Sequence, residues 1–183
     1  MQSACACRAE LRHAATAALA ATTLAACSPT FDWREARPEG SGAVAMFPCR
    51  PQQQRRDVTL AGGVVAMRLH ACSAGGASFA LATLDAGDPQ QVTPDLAALR
   101  AQLLANLGGA AAEERPWSVA GATANPETVR LHLVGKRPDG SRVVADAALF
   151  VRGLTLYQAT VLGSDDAPGR EAVDTFFGAI RLP

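Results

Sequence analysis

The sequence contains few of the residues, and none of the motifs, that identify a catalytic centre. Only 3 histidines occur among its 183 residues. We find no Gly-x-Ser-x-Gly motif, no His-Glu-x-x-His motif, no phosphate-binding glycine loop and no paired-cysteine zinc pattern. The chain also lacks an apolar run of the roughly 20 residues that a membrane-spanning helix needs. We therefore expect a protein that is not an enzyme, holds no metal or other cofactor and has no spanning helix.

An excess of charge of either sign is also missing. Basic and acidic residues number 17 each. The net charge changes only from 0 to about −1 if residues 1–26 are removed, because that segment carries Arg8, Arg12 and Glu10. A protein with this balance has no general electrostatic attraction for a phosphate backbone. We expect no nucleic-acid partner.

The N-terminal residues are typical of an exported bacterial lipoprotein. Arg8, Arg12 and His13 form a basic start, and a short apolar run from Ala14 to Leu24 follows. A basic region, a short apolar run and small residues at the cleavage point define a secretory signal. The run ends in Leu24-Ala25-Ala26-Cys27, which resembles the bacterial lipoprotein signal at all four positions. We predict cleavage before Cys27 and attachment of acyl chains, such as palmitate, at its thiol.

Two other interpretations of this segment stay open at this point. One is an ordinary signal peptide that is cut after an alanine, and the other is an alanine-rich cytosolic helix. Under the lipoprotein interpretation, the protein is anchored in the cell envelope by its lipid and faces the periplasm. Ser28 follows the cysteine. In enterobacterial lipoproteins an aspartate at that position tends to retain the protein at the inner membrane, so its absence favours the outer membrane.

We predict three parts in the chain. Residues 1–26 form the signal peptide, 27–42 a flexible tether, and 43–183 a single α+β domain. The tether prediction depends on a polar composition with Pro29, Pro38 and two glycines, and on the lack of periodicity. Phe31 and Trp33 are unusual in such a linker. They either dock on the domain or rest at the lipid interface, and the sequence does not decide between these.

Cysteine usage agrees with export. Cys5 and Cys7 leave with the signal peptide, and Cys27 is used by the lipid, so Cys49 and Cys72 remain. Two thiols in an oxidising compartment usually pair, which predicts a Cys49–Cys72 disulfide. Two unpaired buried thiols are one alternative. A metal site that uses Cys72 and His70 is another, since residues i and i+2 share a strand face, but further ligands at suitable spacing are missing.

Alternation of apolar residues and the turn residues between them predict two groups of strands, each followed by a helix. Ala61-Gly62-Gly63, Gly75-Gly76, Pro138-Asp139-Gly140 and Arg152-Gly153 mark the turns. Hairpin connections imply a mainly antiparallel sheet with helices packed on it. The region 110–127 is predicted to be irregular, except for a short strand at 117–119. The predicted strands are 44–47, 56–60, 64–72, 77–84, one around 129–133, 142–151 and 155–162, and the helices run from near Pro94 to Leu107 and from Ala167 to Ile180.

Four short motifs, taken in their order, resemble the PsbP-like proteins, in particular the small exported bacterial members. They are Phe47-Pro48-x-x-Pro51, Leu103-Leu104-Ala105-Asn106-Leu107-Gly108, the segment from Phe150 to Gln158, and Phe176-Phe177-Gly178-Ala179-Ile180. The resemblance covers residues 43–183 and implies an α/β/α sandwich with no chemistry of its own. It also implies binding roles, because known relatives hold an assembly together in the photosynthetic lumen or bind a nuclear-transport GTPase. None of the motifs is a site motif, and the cysteine pair is not part of the pattern.

The remaining candidate site residues each have a simpler structural interpretation. His70 and His132 lie among alternating residues on a predicted outward face, where an exposed histidine, or one whose hydrogen bonds are satisfied, is more common than a general base. Ser164-Asp165-Asp166 is a possible cation site, but such a run more often caps a helix. Trp117 and Tyr157 either line a pocket or belong to the core or its rim.

The sequence favours a non-catalytic binding or assembly module with an unknown envelope protein as its partner. The alternative is a carrier or binder of a small apolar ligand such as a lipid. That alternative requires a cavity of ~300 Å³ or more, lined by Leu, Val and Phe, between sheet and helices.

Overall fold

A computed structural model describes residues 30–108, 111–137, 139–164 and 167–183. The predicted signal peptide and Cys27 lie outside these ranges, as do Gly109, Pro138 and the pair Asp165 and Asp166. The elements along the chain are β1 Arg34–Ala36, β2 Ala45–Phe47, β3 Gln52–Leu60, β4 Gly63–Ala74, β5 Ala77–Asp85, α1 Val92–Asn106, β6 Ala111–Pro116, β7 Val129–Lys136, β8 Arg142–Arg152, β9 Thr155–Gly163 and α2 Arg170–Gly178.

Seven strands form one antiparallel sheet in the order β3-β4-β5-β9-β8-β7-β6, while β1 and β2 pair separately as a two-stranded ribbon. The α+β architecture with a mainly antiparallel sheet is thus confirmed. Every residue from Ala145 to Val151 in β8 is buried, as is typical of an interior strand that is covered on both sides.

Each face of the sheet carries one helix. Alternate residues of β8 belong to two separate apolar clusters: Leu149 packs with Leu96 and Leu99 of α1, and Phe150 packs with Phe176 of α2. Successive side chains of a strand point to opposite faces. The two helices therefore lie on opposite sides of the sheet, which we name the α1 face and the α2 face.

Most of the predicted elements are confirmed, with shifted ends. Strands β3, β4 and β5 extend the predicted ones, and Pro94 lies in the first turn of α1. The last helix is shorter than predicted, since it begins at Arg170 with Gly169 as its N-cap.

The region 110–127 contains an element that we missed. β6 pairs with β7 at the edge of the sheet. Its sequence is short, charged and ends in proline, as edge strands often are, so it shows no apolar alternation. The strand predicted at 117–119 is wrong, because those residues are irregular.

The described part of the predicted tether is folded onto the domain. Strand β1 pairs with β2, and the rings of Phe31 and Trp33 lie 6.4 and 6.0 Å from the ring of Phe79, centre to centre. Further along, the Tyr157 hydroxyl donates a 2.6 Å hydrogen bond to the Ser41 carbonyl. The tether prediction is therefore wrong for residues 31–42, and the domain begins earlier than residue 43. Of the two alternatives for Phe31 and Trp33, the structure shows docking.

The predicted disulfide joins Cys49 to Cys72, with a Cα–Cα distance of 5.9 Å. It fastens the segment after β2 to strand β4. Beside it, the Asp32 amide donates a hydrogen bond of 2.9 Å to the Pro48 carbonyl. The alternatives of two free thiols and of a metal ligand at Cys72 are excluded by this bond.

Within the described ranges, no helix combines the length and the apolar character that crossing a bilayer requires.

Reduction of the disulfide should lower the free energy of unfolding by about 3 kcal/mol, because the bond closes a loop of roughly 24 residues in the unfolded chain. Urea unfolding with and without a reductant measures this change. The variant with Cys49→Ser and Cys72→Ser is the control. Its free energy of unfolding should equal that of the reduced protein and should not change when the reductant is added. An unchanged unfolding midpoint after full reduction would contradict the expectation.

Candidate functional site

His132 lies opposite Asp146 on neighbouring strands β7 and β8. Directly opposed residues point to the same face of a sheet, here the α2 face. The Nδ1 atom of His132 is 3.2 Å from Oδ2 of Asp146, and the Asp146 side chain is only 10% exposed. His132 thus agrees with the satisfied histidine of the two structural interpretations, and not with the fully exposed one. The histidine is half-buried and is oriented by a carboxylate.

Arg130 connects this pair to α2. Its guanidinium lies 3.7 Å from Oδ1 of Asp146 and donates a 3.1 Å hydrogen bond to Asp174 of the helix. The same guanidinium stacks over the Phe177 ring at 4.4 Å. An arginine that pairs with two carboxylates and a ring is held in one orientation. The start of α2 is thereby fixed beside His132 and Asp146.

Two clefts meet at the start of α2. One has a volume of about 350 Å³, and the other of about 310 Å³. Both are open to solvent, and they share Pro168, Gly169 and Arg170. We call the combined feature the α2 groove. Its side chains at the sheet end are His132, Asp146 and Val173, and at the other end Phe31, Trp33, Glu171 and Thr175.

The groove offers both donors and acceptors of hydrogen bonds. Gly169 has no side chain to cap the helix, and no side chain among the described residues caps it, so the first amides of α2 and the positive end of its dipole favour a negatively charged or carbonyl group. Arg170 adds a cation at this point. His132 and Asp146 add a hydrogen-bonded polar pair at the sheet end, where Oδ1 of Asp146 lies in an ion pair with Arg130.

The described lining of the groove lacks the serine or cysteine nucleophile of an acyl-transfer triad. A His–Asp pair occurs in acyl-transfer triads together with a nucleophile, but none of the residues that line the groove is serine or cysteine. No group of three His, Cys, Asp or Glu side chains suited to a metal ion is found among the described residues. The arrangement is suited to binding a polar group beside an aromatic wall.

His70 is not exposed as predicted, since it is buried with 5% of its surface accessible. Neither ring nitrogen has a hydrogen-bond partner. It lies in β4 between Arg68 and Cys72, which share its face. Arg68 contacts the Gly40 carbonyl and Cys72 is bonded to Cys49. The segment 40–49 therefore covers the strand at His70, and that segment is remote from β4 in sequence.

The two aromatic candidates belong to the core and its rim. Tyr157 is buried and stacks on Phe150 with ring centres 4.8 Å apart. Trp117 is half-buried and packs edge-on against Phe150 and Phe177. Neither lines the α2 groove. The run Ser164-Asp165-Asp166, interpreted as a helix cap in preference to a cation site, lies mostly outside the described residues, and the N-cap residue of α2 is Gly169.

Sequence reasoning missed the groove, although one signal was present. Asp146 is the only charged residue in the interior of the apolar strand β8. A hairpin centred on the predicted turn at 138–140 places it opposite His132. Arg170 and the uncapped start of α2 had no such signal, because the helix begins three residues later than predicted.

No protein-family model matches this chain, and the search of curated proteins returns no match. The resemblance to PsbP-like proteins therefore stays a prediction.

Acid should destabilise the protein through His70. Burial lowers the pKa of His70 below the ordinary 6.5, and the charge of Arg68 adds to the effect. As the pH falls through 6.5, the unfolded chain takes up the proton first, so folding loses stability by at most about 1.4 kcal/mol per pH unit. Urea unfolding from pH 7.5 down to pH 5, for wild type and His70→Leu, measures this loss of stability. The free energy of unfolding of the variant should fall less steeply with decreasing pH than that of the wild type. An equal pH dependence of the two would contradict the expectation.

Proposed function

We propose that the protein is a lipid-anchored component of the bacterial cell envelope that binds another envelope protein and catalyses no reaction. The observation that carries the anchoring is the motif Leu24-Ala25-Ala26-Cys27 at the end of a short apolar run with a basic start. The domain faces the periplasm, and Ser28 after the cysteine favours the outer membrane over the inner.

The disulfide supports an extracytoplasmic location. Cys49 and Cys72 are the two cysteines that remain after cleavage and acylation, and they are joined. Disulfides persist in oxidising compartments such as the periplasm and are rare in the cytosol. The pairing is thus what we expect of an exported chain, and it argues against the cytosolic helix as an interpretation of the N-terminal segment.

The binding role is supported by the α2 groove. Phe31 and Trp33 form an aromatic wall whose rings are half-buried, while Arg170, Glu171 and Thr175 beside them are exposed. Aromatic and arginine side chains beside a cleft are the usual anchors of protein interfaces. The hydrogen-bonded His132–Asp146 pair and the first amides of α2 supply polar groups at the other end of the groove.

The alternative, a carrier of a small apolar ligand, finds less support. It requires a cavity between the sheet and a helix with Leu, Val and Phe walls. The large side chains at those positions are packed against one another with no exposure, including Phe79, Phe150 and Phe176 on the α2 face. The clefts of the α2 groove are open and partly polar instead.

We infer that the domain is a PsbP-like sandwich. The support is an antiparallel sheet with one helix on each face, and the positions of the four motifs. Phe47 ends β2, Leu103 to Gly108 ends α1, Phe150 to Gln158 spans the β8–β9 hairpin, and Phe176 to Ile180 ends α2. In this family a fold of this kind positions surfaces for binding, which agrees with the role proposed here.

The variant Cys27→Ala should lose its lipid and leave the membrane fraction. Without the thiol, the acyl chains have no attachment point, and an apolar anchor is lost. Metabolic labelling with an alkyne fatty acid, followed by fractionation, measures both effects. Cys7→Ala is the matched control and should be labelled like the wild type. Labelling of Cys27→Ala, or an unlabelled wild type with an intact N-terminal methionine, would refute the anchoring.

A photo-crosslinking amino acid at Thr175, in the groove, should yield an adduct with one envelope protein in living cells. The same amino acid at Val64 is the control, because that residue is 70% exposed and lies outside the groove. Mass spectrometry of the adducts identifies the attached species. A lipid adduct at Thr175 would favour the carrier instead, and equal adducts at both positions would contradict a binding role for the groove.

A further inference from the structure

The chain enters the folded domain at one end of the sheet. The ring of Phe31 lies against the backbone of Gly75 in the β4–β5 turn, so that a Cβ atom at Gly75 would meet it at 2.5 Å. The Thr30 side chain lies on the same turn. From there, the segment continues along Trp33 and into β1. The first described residue is thus fixed at the β4–β5 turn.

Very little chain separates this point from the acylated cysteine. Only Ser28 and Pro29 lie between Cys27 and Thr30. Three residue steps span at most about 11 Å even when fully extended. A strand of nine residues such as β5 is about 30 Å long. The connection is therefore too short for the opposite end of the sheet to reach the lipid.

We propose that the β4–β5 end of the sheet lies on the membrane surface, with Thr30, Phe31 and the turn at Gly75–Gly76 facing the lipid headgroups. This orientation rests on the acylation of Cys27 proposed above. The short connection limits how far the β4–β5 turn can lie from the membrane surface. The docked aromatic segment determines which end of the sheet faces that surface. The opposite end, which carries the β3–β4 and β8–β9 turns, points into the periplasm.

The chemistry of the β4–β5 turn suits a lipid surface, while the β7–β8 hairpin with Lys136 and Arg142 brings basic residues to the same end of the sheet. The turn and its flanks, from Ser73 to Ser78, contain no charged residue, and neither do Thr30 and Phe31. Such a surface can enter the headgroup layer without the desolvation of a charge. Aromatic side chains are also favoured at this depth, and Phe31 and Trp33 are only half-buried against the domain.

The two tryptophans of the chain lie at different distances from the β4–β5 turn, so they report on the orientation of the domain. Trp33 packs on Phe79, and Trp117 packs on Phe150. Phe150 pairs with Tyr157, which pairs with Thr83, four residues beyond Phe79 in β5. Four steps along a strand measure about 14 Å. Trp117 therefore lies about 14 Å further than Trp33 from the β4–β5 turn.

Quenching of tryptophan fluorescence by nitroxide-labelled headgroups tests the orientation. The acylated full-length mature protein is reconstituted into phosphatidylcholine vesicles with and without the labelled lipid. Trp117→Phe reports Trp33 alone, and Trp33→Phe reports Trp117 alone. We expect Trp33 to be quenched several-fold more strongly than Trp117. Insertion of a flexible Gly-Ser segment after Ser28 should reduce the quenching of Trp33, and no reduction would overturn the role of the short connection.

The outcomes separate the two proposals. An intact mass without acyl chains would refute the anchoring, and the orientation with it. An acylated protein that floats with the vesicles, but whose Trp117 is quenched as strongly as Trp33, would overturn the orientation alone.

Discussion

The fold depends on covering both faces of a seven-stranded sheet. The central strands carry buried residues on each side, and these must be shielded from water. Helix α1, with 15 residues, covers one face, but α2 has only 9 residues and is about 14 Å long. The aromatic residues Phe31, Trp33 and Phe47 pack on the rest of the α2 face. The segment from Phe31 to Phe47 therefore takes part in the packing that covers this face.

This constraint explains which parts of the fold the sequence predicts. Strands such as Ala77–Asp85 and Thr155–Gly163 are marked by local alternation and by the glycine turns beside them. The segment from 31 to 42 shows no such pattern, because its packing partners are residues of β5 and β9 far along the chain. His70 was assigned to the surface for the same reason, since alternation in β4 does not show that residues 40–49 lie over it.

The candidate site likewise combines features that are local in the sequence with features that depend on tertiary contacts. The pairing of His132 with Asp146 is a consequence of one turn and one register, and both are local features of the sequence. The groove around it requires the exact start of α2, the placement of Arg170 and the docking of Phe31 and Trp33, which depend on tertiary contacts. A polar pair across the two strands of a hairpin is thus predictable from sequence, whereas the cleft beside it is not.

The groove and the proposed orientation constrain the partner together. Gly76 of the β4–β5 turn lies against Ala167, just before α2, so the groove opens at the same end of the sheet as the turn. If that end rests on the bilayer, a molecule that enters the groove must approach along the membrane surface. A partner that is itself anchored in the membrane meets this condition, because both proteins then diffuse along the same membrane surface. This confinement raises their effective concentration toward each other. A freely soluble periplasmic protein would be obstructed by the lipid headgroups.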